Sequence, residues 1–377
     1  MNKLLKILLL LLSLFLLITP VSAESFPKEE AEDFFKNSEW QEIEELVPEE
    51  AGKLAEEQGI ETITDWSSLS LSGLWDTLRC RLRGLINRPL KVLSSLVGVI
   101  LVSVLLKSVS GSFCESTLSP VFGVIASVFC VGLLMGPLTE SLDGVTAVIH
   151  QFTDFLAAYI PAFAGIVTTA GQPMTAAAYN VLLFGACQVV GQVLQNYFLP
   201  FVSCYLSLAI VSELVPQMGL SRLVGGVKTF ITWALGFLMT LFFGLLTIRT
   251  VVASAGDSVA VKTTKFFISS FIPVVGGSLS DLFVATHGCM QFLKGTVGVF
   301  GIAAALCTFL PIVLKTALWY LTVRLGSLIS GVFGEEILDR LLKSIASAYG
   351  IVLAVLLYYA LLFIISTTLL IVAFKGG

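Results

Sequence analysis

Four amides raise the first chemical question. Asn180, Gln188, Gln192 and Gln195 stand in a long apolar stretch at spacings of eight, four and three, which places them on one face of an α-helix. Amides in hydrocarbon must find hydrogen-bond partners. The face therefore points into a bundle, either as helix–helix glue at about 0.6 kcal/mol per contact or as the lining of a wet path. Both readings stay open. A second pair, His150 and Asp154, lies at i and i+4 and can form an ion pair or a proton-relay step on a helix. The pair sits in the polar lead-in before Phe155, so it is expected at an interfacial surface. Glu213, Asp281 and His287 are the other ionisable groups near membrane depth, and loop ends account for all three.

Nothing else assembles a nucleophile, a base and an electrophile. The sequence holds no P-loop, G-x-S-x-G, H-E-x-x-H or dinucleotide fingerprint. With 2 histidines, and without clustered carboxylates in the apolar runs, hydrolytic and metal chemistry have little to work with. We therefore expect no enzyme, no metal, no cofactor and no nucleic-acid partner. The 7 cysteines are scattered singly without C-x-x-C spacing, and read as small core residues. Gly132 and Gly136 form a G-x-x-x-G pattern that would allow close helix approach.

The elements that must position these groups are membrane helices. Hydrophobic residues make up 56% of the 377 residues and charged ones 13%, against about 25% charged in a soluble domain. Apolar runs near the roughly 20 residues of a bilayer crossing fall at 92–110, 118–138, 155–171, 175–196, 197–215, 229–248, 266–286, 296–314, 315–333 and 345–373. Pro161, Pro200, Pro273 and Pro311 are candidate helix breaks among them, so about seven to nine crossings are expected. The fold class is all-α, a polytopic transmembrane helical bundle embedded in membrane lipid.

The chain opens with two lysines, an apolar stretch over 7–18 and the small residues Val21, Ser22 and Ala23, the pattern of a secretory signal peptide over 1–23. Residues 24–73 form an acidic extracytoplasmic segment, in which 24–65 hold 15 acidic side chains against 3 lysines. Residues 74–91 read as a basic amphipathic helix at the headgroup surface, with Leu74, Leu78, Leu82 and Leu85 on one face and Arg79, Arg83 and Arg88 on the others. Its cations favour the cytoplasm by the positive-inside rule, whereas the leader places them outside. We give the leader precedence, because no apolar run between 24 and 73 returns the chain.

After a first membrane hairpin over 92–138 comes a sign of duplication. Phe155–Pro161 (FLAAYIP) resembles Phe267–Pro273 (FISSFIP), and Phe198-Leu-Pro200 resembles Phe309-Leu-Pro311 at nearly the same offset of about 112 residues. The repeat units would be 139–250 and 255–373. Chance is the rival account in low-diversity apolar sequence. Interrupted helices in repeated units occur in transporters, so a free-standing secondary transporter of a small solute is the alternative function.

One region carries a family resemblance. Val261–Gly277 (VKTTKFFISSFIPVVGG), followed by Ser278–Asp281 (SLSD) and Lys294–Gly298 (KGTVG), resembles the stage III sporulation protein AE family of endospore-forming bacteria. The leader, the polar head and the multi-span body agree with that family's plan. The resemblance implies a multi-pass protein of the mother-cell membrane around the forespore. It would act with the other proteins of the stage III sporulation complex, a secretion-like channel that includes an ATPase and ring-forming partners. It would be needed for late forespore gene expression. Self-association into a homo-oligomer is compatible with this role, and the family supplies no catalytic residues. The acidic head can meet basic partner surfaces or simply stay solvated.

Overall fold

The computed structural model describes residue 35 and residues 40–60, 62–68, 71–113, 119–271 and 276–372. The leader expected over 1–23, most of the acidic stretch 24–39 and Pro273 lie outside the described residues. Two short helices come first, α1 (Trp40–Glu45) and α2 (Glu49–Glu56), then a 3₁₀ turn at Asp65–Ser68. Long helices follow: α3 (Leu71–Phe113), α4 (Ser119–Thr169), a composite run from Pro173 to Leu214, α8 (Ser221–Phe271), α9 (Gly276–Val332) and α10 (Glu336–Val372). The composite run consists of α5 (Pro173–Tyr179), a π-turn (Asn180–Phe184), α6 (Gly185–Val193), a second π-turn (Leu194–Phe198) and α7 (Leu199–Leu214). No strand occurs among the described residues.

The expected all-α membrane class is present, with fewer candidate spans among the described residues than the about seven to nine expected. Six helical stretches among the described residues are long and apolar enough to cross a bilayer: Gly84–Val109, Val121–Thr169, Pro173–Leu214, Ser221–Ile248, Phe292–Val332 and Glu336–Thr368. Several apolar runs that the sequence separates are joined. Runs 118–138 and 155–171 both belong to α4, 175–196 and 197–215 to the composite run, and 296–314 and 315–333 to α9. The polar residues between them mark a surface face, not a loop. Nor do the prolines end these helices, since Pro161 lies inside α4 and Pro311 inside α9. A proline removes one backbone hydrogen bond and strains one carbonyl, which the packed neighbours tolerate. Pro200 follows directly on the second π-turn, the local adjustment that makes room for its ring. The basic stretch 74–91 likewise continues without interruption into the first apolar run, through Pro89.

The bundle is built around the hairpin α9–α10, whose two helices pack against each other more extensively than any other pair. Helix α10 is apolar on all sides and buried over most of its length, as a core helix must be. Around it stand α3, α4, the composite run and α8, alternating in direction. Lys107 meets Glu335 and reaches Gly123 of α4, while Arg88 and Lys315 share Glu140, so α3 runs parallel to α9 and antiparallel to α4. The composite run is antiparallel to α10, because Tyr205 reaches Ser344 and Tyr179 reaches Thr367. Helices α1 and α2 and the 3₁₀ turn lean against α4 and α9, where Trp40 stacks edge-on to Tyr159 and Trp66 to Phe300.

Candidate functional site

The interior of the bundle holds two polar nodes. The first lies where α4, α6 and α10 meet. Thr153 Oγ1 is 2.6 Å from the Tyr359 hydroxyl and also donates to the Ile149 carbonyl at 2.6 Å. Tyr359 donates onward to the Cys187 carbonyl at 3.2 Å. This contact depends on Gly191, where a Cβ would stand 2.7 Å from Thr153 Oγ1 and 3.0 Å from the Tyr359 hydroxyl. Beside it Tyr358 buries a hydroxyl without a hydrogen-bond partner among the described residues. Below runs an aromatic column of Phe152, Phe155, Tyr159, Phe300 and Phe363. Tyr159 crosses the backbone of α9 at Gly301 and donates to the Val297 carbonyl at 2.9 Å.

The amide stripe flanks this node. Asn180 opens the first π-turn and Gln195 lies in the second. In a regular α-helix eight residues overshoot two full turns by about 80°, so Asn180 and Gln188 would drift apart. A π-turn absorbs one residue and brings them back toward one face. Gln188 is half-buried and approaches the Thr153 carbonyl of α4 through Nε2 at 3.5 Å. Asn180 and Gln195 are also half-buried, and Gln192 is exposed. The four therefore follow the edge of the bundle, with Gln188 pointing deepest.

The second node joins the turn before α5 to α8 and α9. Both oxygens of the Asp257 carboxylate accept backbone amides, from Met174 at 3.1 Å and Thr175 at 2.8 Å. A carboxylate at a helix start satisfies otherwise unpaired N–H groups and complements the helix dipole. Lys294 donates to Gln172 Oε1 at 2.9 Å and feels the charge of Asp257. Asp257 is 1% exposed, Gln172 2% and Lys294 2%. Sequence reasoning passed over this node. Its only local signal was a lysine inside the apolar stretch before residue 296, and the three residues are too far apart in the chain to be associated by spacing.

The remaining candidates are peripheral. His150 Nδ1 lies 2.8 Å from Asp154 Oδ2, with the side chains 66% and 61% exposed, so the pair occupies a surface. Glu213 caps the composite run by binding Arg340 at 3.1 Å. The side chains of Asp281 and His287 lie outside the described residues. A Cβ at Gly132 or Gly136 would meet nothing within 4 Å, so the G-x-x-x-G pattern packs against no helix among the described residues. Cys130, Cys187 and Cys307 are buried and free, whereas Cys204 is exposed. No group of three His, Cys, Asp or Glu side chains that could hold a metal occurs among the described residues.

With this geometry in place, comparison with known proteins is informative. A family model for stage III sporulation protein AE matches residues 57–374. The chain belongs to the stage III sporulation protein AE family. A curated relative, stage III sporulation protein AE of Bacillus subtilis (strain 168), is 25% identical over 283 residues, covering 75% of this chain and 71% of its own. No solved structure matches. The family match includes both polar nodes, the composite run and the whole long-helix bundle. It begins at the last residues of the acidic head, so most of that head falls before the matched region.

Proposed function

We propose that this protein is the multi-pass core of the stage III sporulation complex, a secretion-like channel linking mother cell and forespore, and that it supports late forespore gene expression. The observation that carries this reading is the family match over 57–374, coincident with the helical bundle. The protein acts from the mother-cell membrane surrounding the forespore, alongside the other stage III proteins. Its role is structural: the α9–α10 hairpin holds the peripheral helices, whose outer faces are free to meet partners. The bundle interior is closed by large side chains, Tyr159, Phe152, Phe155 and Phe363 among them. Any conduit through the assembly therefore runs along a helix face and not through this core.

Deletion in the sporulating host, scored by a late forespore reporter and forespore volume, tests the role. Failure after engulfment, rescued by the full gene, supports it, and normal reporter output and spore yield refute it. The π-turns that bracket the amide stripe favour one second reading, a secondary transporter with a solute site along that stripe, since π-turns recur at functional sites. Solute uptake by the purified protein alone in liposomes, abolished when Asn180, Gln188, Gln192 and Gln195 are changed to Leu, would establish it. A Leu variant that assembles and rescues sporulation fully makes the stripe dispensable.

A further inference from the structure

The long helices far exceed a membrane. At about 1.5 Å per residue, the 51 residues of α4 extend about 77 Å, against a hydrocarbon core of about 30 Å. The ion pairs show which part of that length the bilayer covers. At one level Lys107 pairs with Glu335 at 2.5 Å, Arg340 with Glu213 at 3.1 Å and Lys343 with Asp339 at 2.6 Å. At a second level Glu140 binds both Arg88, at 3.0 Å, and Lys315, at 2.9 Å. From Arg88 to Lys107 on α3 the rise is about 28 Å, and from Lys315 to Val332, where α9 ends just before Glu335, it is about 26 Å, close to the roughly 30 Å of the hydrocarbon core.

The outward faces change character at the same places. Between the rings they are apolar: Leu101 and Leu105 on α3, Val128 and Phe129 on α4, and the stacked Trp233 and Phe237 on α8 are all exposed. Three cations start between the rings, of which Lys91 is within about one helical turn of Arg88 in the second ring. Arg324 acts on Asp339 of the first ring, and Lys228 donates to Ser347 at 3.0 Å, as snorkelling side chains do. Beyond the second ring α4 exposes no large apolar side chain after Met135. Its exposed residues there are polar up to Asp154 (Asp143, His150, Gln151 and Asp154, with Ala147) and small after it (Ala157, Pro161, Gly165, Thr168 and Thr169). Val181 and Val189 on the composite run, and a row on α8 comprising Leu241, Leu245, Ile248, Val252, Val259 and Phe266, also stay exposed beyond this level, an apolar face of the kind that partner proteins cover.

The acidic head occupies this second half. Trp66 packs on Phe300 and Trp40 on Tyr159, both beyond the second ring, and Arg81 binds Glu50 at 3.1 Å and Glu57 at 2.7 Å. Glu45, Glu49, Glu56 and Glu57 are exposed, which no acyl environment tolerates. We propose that the bilayer covers only the half of the bundle between the two charge rings. The other half is a water-exposed helical body, about 44 Å long on α4 from Glu140 to Thr169, with the acidic head folded against it. Both polar nodes, the amide stripe and His150–Asp154 then belong to this body, where partner proteins and solutes in water can reach its surface. The inference does not depend on the sporulation role.

Thiol labelling tests it. The variants A147C, A157C, V128C and F129C place cysteines on the exposed face of α4 in the otherwise unchanged full chain. A membrane-impermeant maleimide is applied to intact vesicles of both orientations, and each site is read by mass spectrometry of its own peptide. Because the reacting species is the thiolate, A147C and A157C should label at least about ten times faster than V128C and F129C, from one side only, with the latter pair reacting after detergent. Equal slowness at all four sites until detergent is added overturns the proposal. A photolabel dissolved in the acyl phase of nanodiscs needs no substitution. Tags on α4 confined to Val121–Met135 support the assignment, and tags between Ala147 and Thr169 overturn it.

Discussion

Gln172 offsets the burial cost of Lys294 by hydrogen bonding and Asp257 by charge. Removing the carboxylate of such a set costs more than removing both charges, because the buried ammonium loses its countercharge. D257A should therefore lower stability by about 3–5 kcal/mol, read as a fall in melting temperature of the purified protein. The double variant D257A/K294M should recover part of that loss. At Gly301 the effect is steric. A Cβ there meets the Tyr159 hydroxyl and ring, so G301A should cost about 1–3 kcal/mol by overpacking. G132A and G136A, with open space at both positions, should be nearly silent in the same assay. The G-x-x-x-G spacing was legible in the sequence, but the glycines in close contact are others, Gly191, Gly256, Gly298 and Gly301. Nothing local distinguishes a glycine facing a tyrosine from one facing lipid.

At the scale of elements, the head is held mainly by its aromatic anchors. Truncating a buried Trp costs about 3–5 kcal/mol, whereas exposed ion pairs contribute about 0.2–1 kcal/mol each. W66A should release the head and expose residues 40–68 to proteolysis, while R81A should only accelerate cleavage modestly. The head also has a pH dependence. Burial, and then the nearby Asp65, raise the pKa of Glu44 above the usual carboxylate range. The docked head thus binds this proton more tightly than the released one. Its stability therefore falls as pH rises from the ordinary carboxylate range through the raised pKa. E44Q should therefore make the head more protease-resistant at neutral pH and flatten its response to mild acid. The sequence showed an acidic extracytoplasmic segment over 24–73. It could not show that Trp40 and Trp66 find α4 and α9, more than a hundred residues later.

For the whole molecule, the two charge rings imply a preferred membrane. Stability in vesicles should peak where the hydrocarbon thickness is near 30 Å and decline in thinner or thicker bilayers, since mismatch costs fractions of a kcal/mol per Å. Melting temperature across a series of acyl-chain lengths measures this. The stage III sporulation protein AE family assignment was already visible in the residues around 261–298, and the match over 57–374 extends it to the bundle.

The sequence by itself determined the all-α membrane class, the places where apolar stretches fall and the surface character of His150–Asp154. These follow from composition and helical periodicity, which are local. The tertiary structure decided that neighbouring apolar runs share one helix, that π-turns realign the stripe, and that Asp257, Gln172 and Lys294 meet. It also decided that ion pairs separated by as many as 228 residues gather into rings. The physical reason is that hydropathy measures only how apolar a segment is. A core helix shielded by protein and a helix facing lipid give the same pattern, and only packing tells which apolar surface is left for the membrane.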